Sequence, residues 1–300
     1  MLPLPAAVSG DLDALIDRAL AEDVGAGDVT TEATIPEGTR ATARFLLKQD
    51  GVVAGLAVAE RVFAAVDPDL EVSWTAADGD ALEAGTVFGT VRGRARSILV
   101  AERLALNLMQ RMGGIATAAH RMAEAAKPAT VLDTRKTAPG MRHLDKWAVA
   151  LGGAANHRAG LYDMVLVKDN HIAAAGGIRQ AIDAVGEHAR RSGRDVPVEV
   201  EARTMAEVDA VLAANAGGAR VDRVLLDNMA VRSQNGLDVS MLARAVERVG
   251  GRIQTEASGN VTLNTVGAIA ATGVDFISSG ALTHSVAALD VSLKVGLELG

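Results

Sequence analysis

Met164-Val-Leu-Val-Lys-Asp-Asn-His171 reads as a short apolar strand that ends abruptly in charge, and the chain repeats that form. Val131-Leu132 runs into Asp133-Thr-Arg-Lys136 in the same way. Apolar strands start near 130, 164, 197, 223, 252 and 274, with helical stretches near 175–190, 204–214, 238–249 and 262–271. A spacing of roughly two to three dozen residues is that of βα units. The units share no sequence repeat, which excludes a solenoid. Such units either close as a barrel or lie open as a doubly wound sheet. Polar residues follow nearly every strand rather than one switch point, which favours a barrel. The expected fold is therefore α/β: an incomplete TIM-like α/β barrel over residues 114–285, with a smaller N-terminal α+β domain over residues 1–113. The tail, about 286–300, is expected to pack on that smaller domain.

The strand ends, in order, carry Arg135 and Lys136, then Lys168, Glu201, Asp227, Glu256-Ala-Ser258-Gly259 and Ser278-Ser279-Gly280. In Val198-Glu-Val-Glu201 the two acids alternate, so both face one side of the sheet. Buried there, they need a cation or a metal. A lone Ser-Gly is ordinarily a turn or a cap. Two of them, after the last two strands of a barrel, point to phosphate, which many barrels bind at that place.

Charge is unevenly spread. Between Arg103 and Ile172 there are ten Lys and Arg against five Asp and Glu, within a chain whose net charge is −7. Four of the six histidines also fall there, at 120, 143, 157 and 171. A single exposed arginine means little. A basic island at strand ends inside an acidic chain points to a small anionic ligand. Nucleic acid calls more often for a broadly basic domain.

Length and composition set the remaining bounds. Three hundred residues, 49% of them hydrophobic, supply a large core filled by Ala and Val, since aromatics are only 2%. There is no cysteine, which excludes disulfides, thiolate nucleophiles and thiolate metal sites. No basic-then-apolar leader opens the sequence and no apolar window is long enough to span a bilayer. A cytoplasmic protein with no nucleic-acid or membrane partner is expected.

Toward the N-terminus, Leu12 to Ala21 reads as an amphipathic helix. Residues 28 to 94 read as an α+β unit with an antiparallel sheet. Arg96 to Met112 is a strong helix, with Gly113-Gly114 breaking it from a second one that ends near Ala126. Arg103 and Asn107 share a face of the first. Gly25-Ala-Gly27 is a partial dinucleotide loop with no strand before it, and is discarded.

There is no Walker loop and no nucleophile elbow. His157 and His171 are candidate general bases. One rim thus offers cations for carboxylates or pyrophosphate, and carboxylates that, near phosphate, suit Mg²⁺. Transfer of a phosphate-bearing group to an anionic acceptor, with pyrophosphate leaving, fits best. Such chemistry depends on positioning and charge neutralisation.

The motifs also carry a likeness. Asp133-Thr-Arg-Lys-Thr137, Asn156-His-Arg158, Lys168-Asp-Asn-His171, Val198-Glu-Val-Glu201, Leu225-Leu-Asp-Asn228, Glu256-Ala-Ser-Gly259 and Leu282-Thr-His284 resemble the quinolinate phosphoribosyltransferase family. The likeness runs over nearly the whole chain, from Glu22-Asp-Val-Gly25 onward. It implies conversion of quinolinate and phosphoribosyl pyrophosphate to nicotinate mononucleotide, pyrophosphate and CO₂, with Mg²⁺, at the entry to NAD. It implies that Arg135, His157, Arg158 and Arg103 hold the substrate carboxylates, Arg103 coming from a neighbouring copy in a homodimer or larger assembly. Lys136 and Lys168 meet carboxylate or pyrophosphate. Glu201 and Asp227 contact ribose and Mg²⁺ and, with the two lysines, form the catalytic set. Thr134, Ser258, Gly259, Asn260, Ser279, Gly280, Ala281 and His284 complete the substrate contacts. The segment Met229 to Asp238 is longer than the family pattern. The rivals are a paralogue that uses nicotinate and a non-catalytic sensor of anionic metabolites.

Overall fold

Short apolar runs between turns become strands, and the computed structural model describes residues 4–233 and 236–298 of the chain. The chain divides into two compact units. One comprises Met1–His120, Ala138–Gly153 and Ser285–Gly300, and the other Arg121–Thr137 and Ala154–His284. The tail falls in the first unit, and so does a helix that no strand pattern announced, Arg142–Leu151. Its Leu144, Trp147 and Ala148 are buried, and its buried Asp145 receives a two-pronged hydrogen bond from Arg111 at 2.8 and 2.7 Å. Those contacts tie it to the first unit.

In the first unit β1 (Arg40–Leu47) buries Ala41, Ala43, Phe45 and Leu47 while Arg40 and Arg44 face out. That is the period of a sheet with one face on a core. β1 lies between β3 (Val87–Arg94) and β10 (Val291–Glu298), with β2 (Glu71–Trp74) beyond β3, all antiparallel. The C-terminal segment thus supplies an edge strand, Ala43 opposite Val295. α2 (Leu56–Val66) covers the buried face, its Phe63 edge-on to Phe45 with ring centroids 6.0 Å apart. α1 (Ala6–Val24) is longer than the stripe from Leu12 predicts, because Val8 is buried as well.

α3 (Ala95–Ala126) corrects the expected break at Gly113-Gly114: it is one continuous helix of 32 residues. The glycines serve packing. A Cβ on Gly114 would lie 2.2 Å from the Ala287 carbonyl oxygen, and one on Gly113 2.7 Å from Leu289 Cδ2. Glycine costs a helix about 1 kcal/mol relative to alanine. Here that cost is set against close packing of the returning tail.

The second unit is a sheet of six parallel strands: β4 (Thr130–Leu132), β5 (Val165–Val167), β6 (Val198–Ala202), β7 (Arg223–Asp227), β8 (Gln254–Ser258) and β9 (Phe276–Ser278). Their spatial order is β4-β9-β8-β7-β6-β5. The first strand pairs with the last, as in a barrel, but β4 and β5 do not pair with each other. The barrel is open at that seam, where Ala155 makes one parallel bridge to Leu132. Helices connect the later strands: α4 (Ile178–Ser192), α5 (Met205–Ala216), α6 (Ser240–Val249) and α7 (Leu263–Ala270). All five residues of β6 are buried, as expected of a parallel strand covered on both faces.

Strand register sorts the side chains. Glu199 lies beside Arg223, Glu201 beside Leu225, and Ser258 beside Asp227 and Ser278. Because side chains alternate across a strand, Glu199, Glu201, Arg223, Asp227, Glu256, Ser258 and Ser278 share one face. Val198, Val200, Val224, Leu226, Ala257 and Ile277 share the other. Of the longer segment at Met229–Asp238, Val231–Ser233 and Gly236–Asp238 pair as a small hairpin, and residues 234–235 lie outside the described residues.

Candidate active site

A cavity of about 590 Å³ opens on the polar face of the sheet. Thr134, Arg135 and Lys136 line it after β4, Lys168 after β5, Glu201 from β6, Asp227 from β7 and Ser258 from β8. His157 and Arg158 come from the connection before β5. Asp169, Asn170, Glu256 and Ser278 also line it. Local bonds set these side chains. Thr134 Oγ1 accepts the Lys136 N–H at 3.0 Å, folding the turn that presents Arg135 and Lys136. Asp163 accepts the N–H groups of Ala159 and Gly160 at 2.7 and 2.9 Å, which curls the loop after Arg158. The Lys168 N–H donates to His171 Nδ1 at 2.9 Å. That bond commits the acceptor nitrogen of His171, so the imidazole serves as a cap and not as the free base the sequence left open.

The cations are held against each other. Burial lowers the Arg158 pKa, the charge of Arg135 lowers it further, and Glu199 and Asp163 oppose both. Arg158 Nη1 donates to the Met164 carbonyl at 3.2 Å. Arg135 Nε is buried with no hydrogen-bond partner. A buried donor left unpaired costs roughly 1–3 kcal/mol, more when charged. Two crowded guanidiniums on a cavity wall are what an anionic ligand relieves.

Beneath them lies a buried cluster. His157 Nε2 is 3.0 Å from Glu199 Oε2 and 3.5 Å from Glu256 Oε2, and Arg223 Nη1 donates to Glu256 Oε2 at 2.8 Å. The Arg223 guanidinium lies 3.9 Å over the Phe276 ring. Burial pushes the Glu256 carboxyl up to about 7. The Glu199 charge adds to that, while a positive charge on His157, were its ring protonated, a hydrogen bond from Ser278 and the Arg223 charge oppose it. Burial raises Glu199 too, with Arg223 the chief opposing influence. His157, Glu199 and Glu256 have donor types that suit a metal, with ligand atoms within 4.8 Å of one another. Arg223 already supplies positive charge to the Glu256 oxygen that faces His157, which makes this a poor place for a second cation.

Glu201 stands differently. Burial raises its pKa, and the charges of Asp227 and Asp169 raise it further. Glu201 and Asp227 thus present hard carboxylate oxygens on one cavity wall that fit a cation such as Mg²⁺, while Asp169 pairs with Arg203 at 3.2 Å.

The expected phosphate cradle is only partly on that wall. Ser258 lines the cavity, and so does Ser278 at the end of β9. Ser279 is a correction: its side chain is buried, its hydroxyl donates to the Val261 carbonyl at 3.3 Å, and its N–H to the Leu132 carbonyl at 3.0 Å. The β9–β4 ladder runs one residue further than the Ser-Gly signal implies, and takes those groups. Asn260 Nδ2 is committed to the Ala230 carbonyl at 3.0 Å. Gly259 is a forced glycine: its φ is +96°, and a Cβ would lie 2.2 Å from Asn228 Oδ1. Gly280 packs on the lysine, where a Cβ would lie 2.7 Å from Lys136 Cδ and 3.0 Å from His284 Cδ2. The single turn Ala281–His284 follows it, and Thr283 Oγ1 donates to the Lys136 carbonyl at 2.8 Å. Arg103 is exposed on α3, with Asn107 also exposed one turn on.

Residues 115–294 match the family Quinolinate phosphoribosyl transferase, C-terminal domain, and residues 28–113 match its N-terminal domain. The chain belongs to the quinolinate phosphoribosyltransferase family. Family relatives include quinolinate phosphoribosyltransferase [decarboxylating] 1b of Nicotiana tabacum, 55% identical over 98% of this chain and 85% of that protein. The chloroplastic nicotinate-nucleotide pyrophosphorylase [carboxylating] of Arabidopsis thaliana is 56% identical over 96% of this chain and 84% of that protein. The crystal structure of NadC from Streptococcus pyogenes matches with a TM-score of 0.88 at 34% identity, covering 99% of this chain and 100% of that one. Among the described residues no helix is long and apolar enough to cross a membrane.

Proposed function

We propose that the chain transfers the phosphoribosyl group of phosphoribosyl pyrophosphate to quinolinate. The products are nicotinate mononucleotide, pyrophosphate and CO₂, at the entry of the de novo route to NAD. The observation that carries this reading is the crowded Arg135–Arg158 pair on the cavity wall. A planar dicarboxylate answers both guanidiniums through parallel hydrogen bonds. The close similarity to relatives named for this reaction supports the same substrate.

The chain's own groups act by placement and charge. Arg135 and Arg158 orient the pyridine ring so that its nitrogen faces C1′ of the ribose. Lys136 and Lys168 meet the departing pyrophosphate or the carboxylate as point charges. Glu201 and Asp227 face the ribose, where an oxocarbenium-like centre forms as the leaving group departs. Once alkylated, the positively charged ring nitrogen stabilises the electron pair left on the adjacent ring carbon when its carboxylate departs as CO₂, and a proton from solvent then takes that position. Too firm a grip on that carboxylate would hold the ground state, so an unequal grip by the two arginines favours reaction. Ser258 and the backbone around Gly280 and Ala281 lie where the 5′-phosphate is held, with Gly259, Asn260 and His284 shaping the surrounding loops. Glu201 and Asp227, with substrate oxygens, are the residues that would hold Mg²⁺, and a bound ion supplies charge neutralisation for pyrophosphate. Exposed Arg103 completes the carboxylate clamp from a neighbouring copy in a homodimer or larger assembly. We place the protein in the cytoplasm on composition alone, since the Arabidopsis relative is chloroplastic.

The test is an assay of the purified protein with quinolinate, phosphoribosyl pyrophosphate and Mg²⁺, following nicotinate mononucleotide and CO₂ together. Equal yields are expected, and EDTA should abolish both. Product from nicotinate in place of quinolinate, without CO₂, would overturn the substrate. Tight binding without turnover would make the protein a sensor.

A further inference from the structure

We propose that Glu199, Glu256 and Arg223 are positioning residues that act through His157 on Arg158; the effect on turnover rests on the proposed grip of Arg158 on a pyridine dicarboxylate. The imidazole of His157 is held on both nitrogens. The Arg158 backbone N–H donates to Nδ1 at 2.7 Å. A backbone amide has only a hydrogen to offer, so Nδ1 is the unprotonated nitrogen. The ring proton therefore sits on Nε2, which faces Glu199 Oε2 at 3.0 Å and Glu256 Oε2 at 3.5 Å. The backbone on the other side is fastened as well: the His157 N–H donates to Oδ1 of the fully buried Asp133 at 2.8 Å.

His157 is thus a neutral strut joined to the barrel interior and not a free base or a cationic clamp. It immediately precedes Arg158, and its ring bonds the Arg158 amide, so the direction in which Arg158 leaves the chain follows the direction of the ring. The ring in turn follows the two carboxyls. Glu256 is anchored from below: Arg223 Nη1 holds its Oε2 at 2.8 Å and is itself stacked on Phe276, while Glu199 lies across the ladder from Arg223. A row therefore runs from the barrel interior, through Glu256 and Glu199 to His157, and ends at Arg158 on the cavity wall. A ring nitrogen that donates to a carboxylate while the other accepts a fixed bond is held in one tautomer and one orientation, the same device that orients metal-bound histidines. Glu199 thereby has a function distinct from Glu201, two residues on and on the same face.

Two measurements test this. The first is the ¹⁵N signal pair of the His157 ring in the wild-type protein, assigned by its absence in His157→Gln. A neutral ring protonated on Nε2 is expected. An Nδ1-protonated ring or an imidazolium at neutral pH overturns the proposal, whether or not the protein turns over quinolinate. The second compares Glu199→Leu with Glu199→Gln. The leucine variant should raise KM for quinolinate by on the order of tenfold to a hundredfold and leave KM for phosphoribosyl pyrophosphate unchanged. The glutamine variant, whose Oε1 accepts the same hydrogen bond, should restore the quinolinate KM. A purely structural role would instead lower the active fraction with both KM values unchanged, and that result refutes the strut. So does a glutamine variant as impaired as the leucine one. If the wild type itself does not use quinolinate, the functional reading falls and the ring signals alone decide the strut.

Discussion

Replacing Glu256 by glutamine should flatten the fall in stability with rising pH. Glu256 is almost wholly buried beside Glu199, and its carboxyl is raised from 4.5 to about 7, first by burial and then by that neighbouring charge. In the unfolded chain the same group titrates near its ordinary value. From about pH 4.5 to about pH 7 the folded protein keeps a proton that the unfolded chain has lost. Folding stability is therefore fully present below the lower value, falls through this window, and levels off above the upper one. At about 1.4 kcal/mol per pH unit, the gap between 4.5 and about 7 amounts to about 3 kcal/mol. Glutamine resembles the protonated form and cannot ionise. Relative to wild type, Glu256→Gln should gain up to about 3 kcal/mol between roughly pH 5 and pH 8. Glu199, raised by burial and coupled to Glu256, still titrates in the variant, so a residual slope remains there. Urea unfolding of the two proteins at several pH values across this window reads the difference directly. Parallel stability curves would refute the reasoning, as would a variant that loses ground to wild type as pH rises.

Three further outcomes follow from single contacts. Gly114→Ala drives a methyl group into the Ala287 backbone, and thermal unfolding should show a loss of about 1–3 kcal/mol, an overpacking cost. Arg111→Ala leaves the buried Asp145 without its two-pronged partner, and denaturant titration should show a loss of about 3–5 kcal/mol. Arg103→Ala should weaken quinolinate binding by about 2–5 kcal/mol, the scale of a truncated interfacial charge pair; an unchanged KM in steady-state kinetics would remove Arg103 from the clamp.

What could be read early was local. The strand in Val198-Glu-Val-Glu201 and its two same-face acids follow from a period of two, and the structure has them on β6 facing Arg223 and Leu225. The charged ends at Arg135, Lys136, Lys168 and Asp227 are visible wherever an apolar run stops, and all four line the cavity. Other features depend on partners distant in sequence. Gly113-Gly114 carries a turn signal, yet it is helical because Ala287 and Leu289 press against it. Ser279 looks like a phosphate contact until Val261 and Leu132 claim its donors. Arg223, at the start of a strand, gives no sign that it ends beneath a cavity.

The sequence by itself determined the α/β class, the strand and helix periods, and which residue types stand at strand ends, because these depend on neighbours within a few positions. Only the tertiary structure decided that the first strand pairs with the last around an open seam. It alone decided that Glu199, Glu256, Arg223 and His157 meet in one buried cluster, and which polar groups remain for a ligand. Pairing, burial and the satisfaction of a hydrogen bond are properties of surroundings that come from distant parts of the chain.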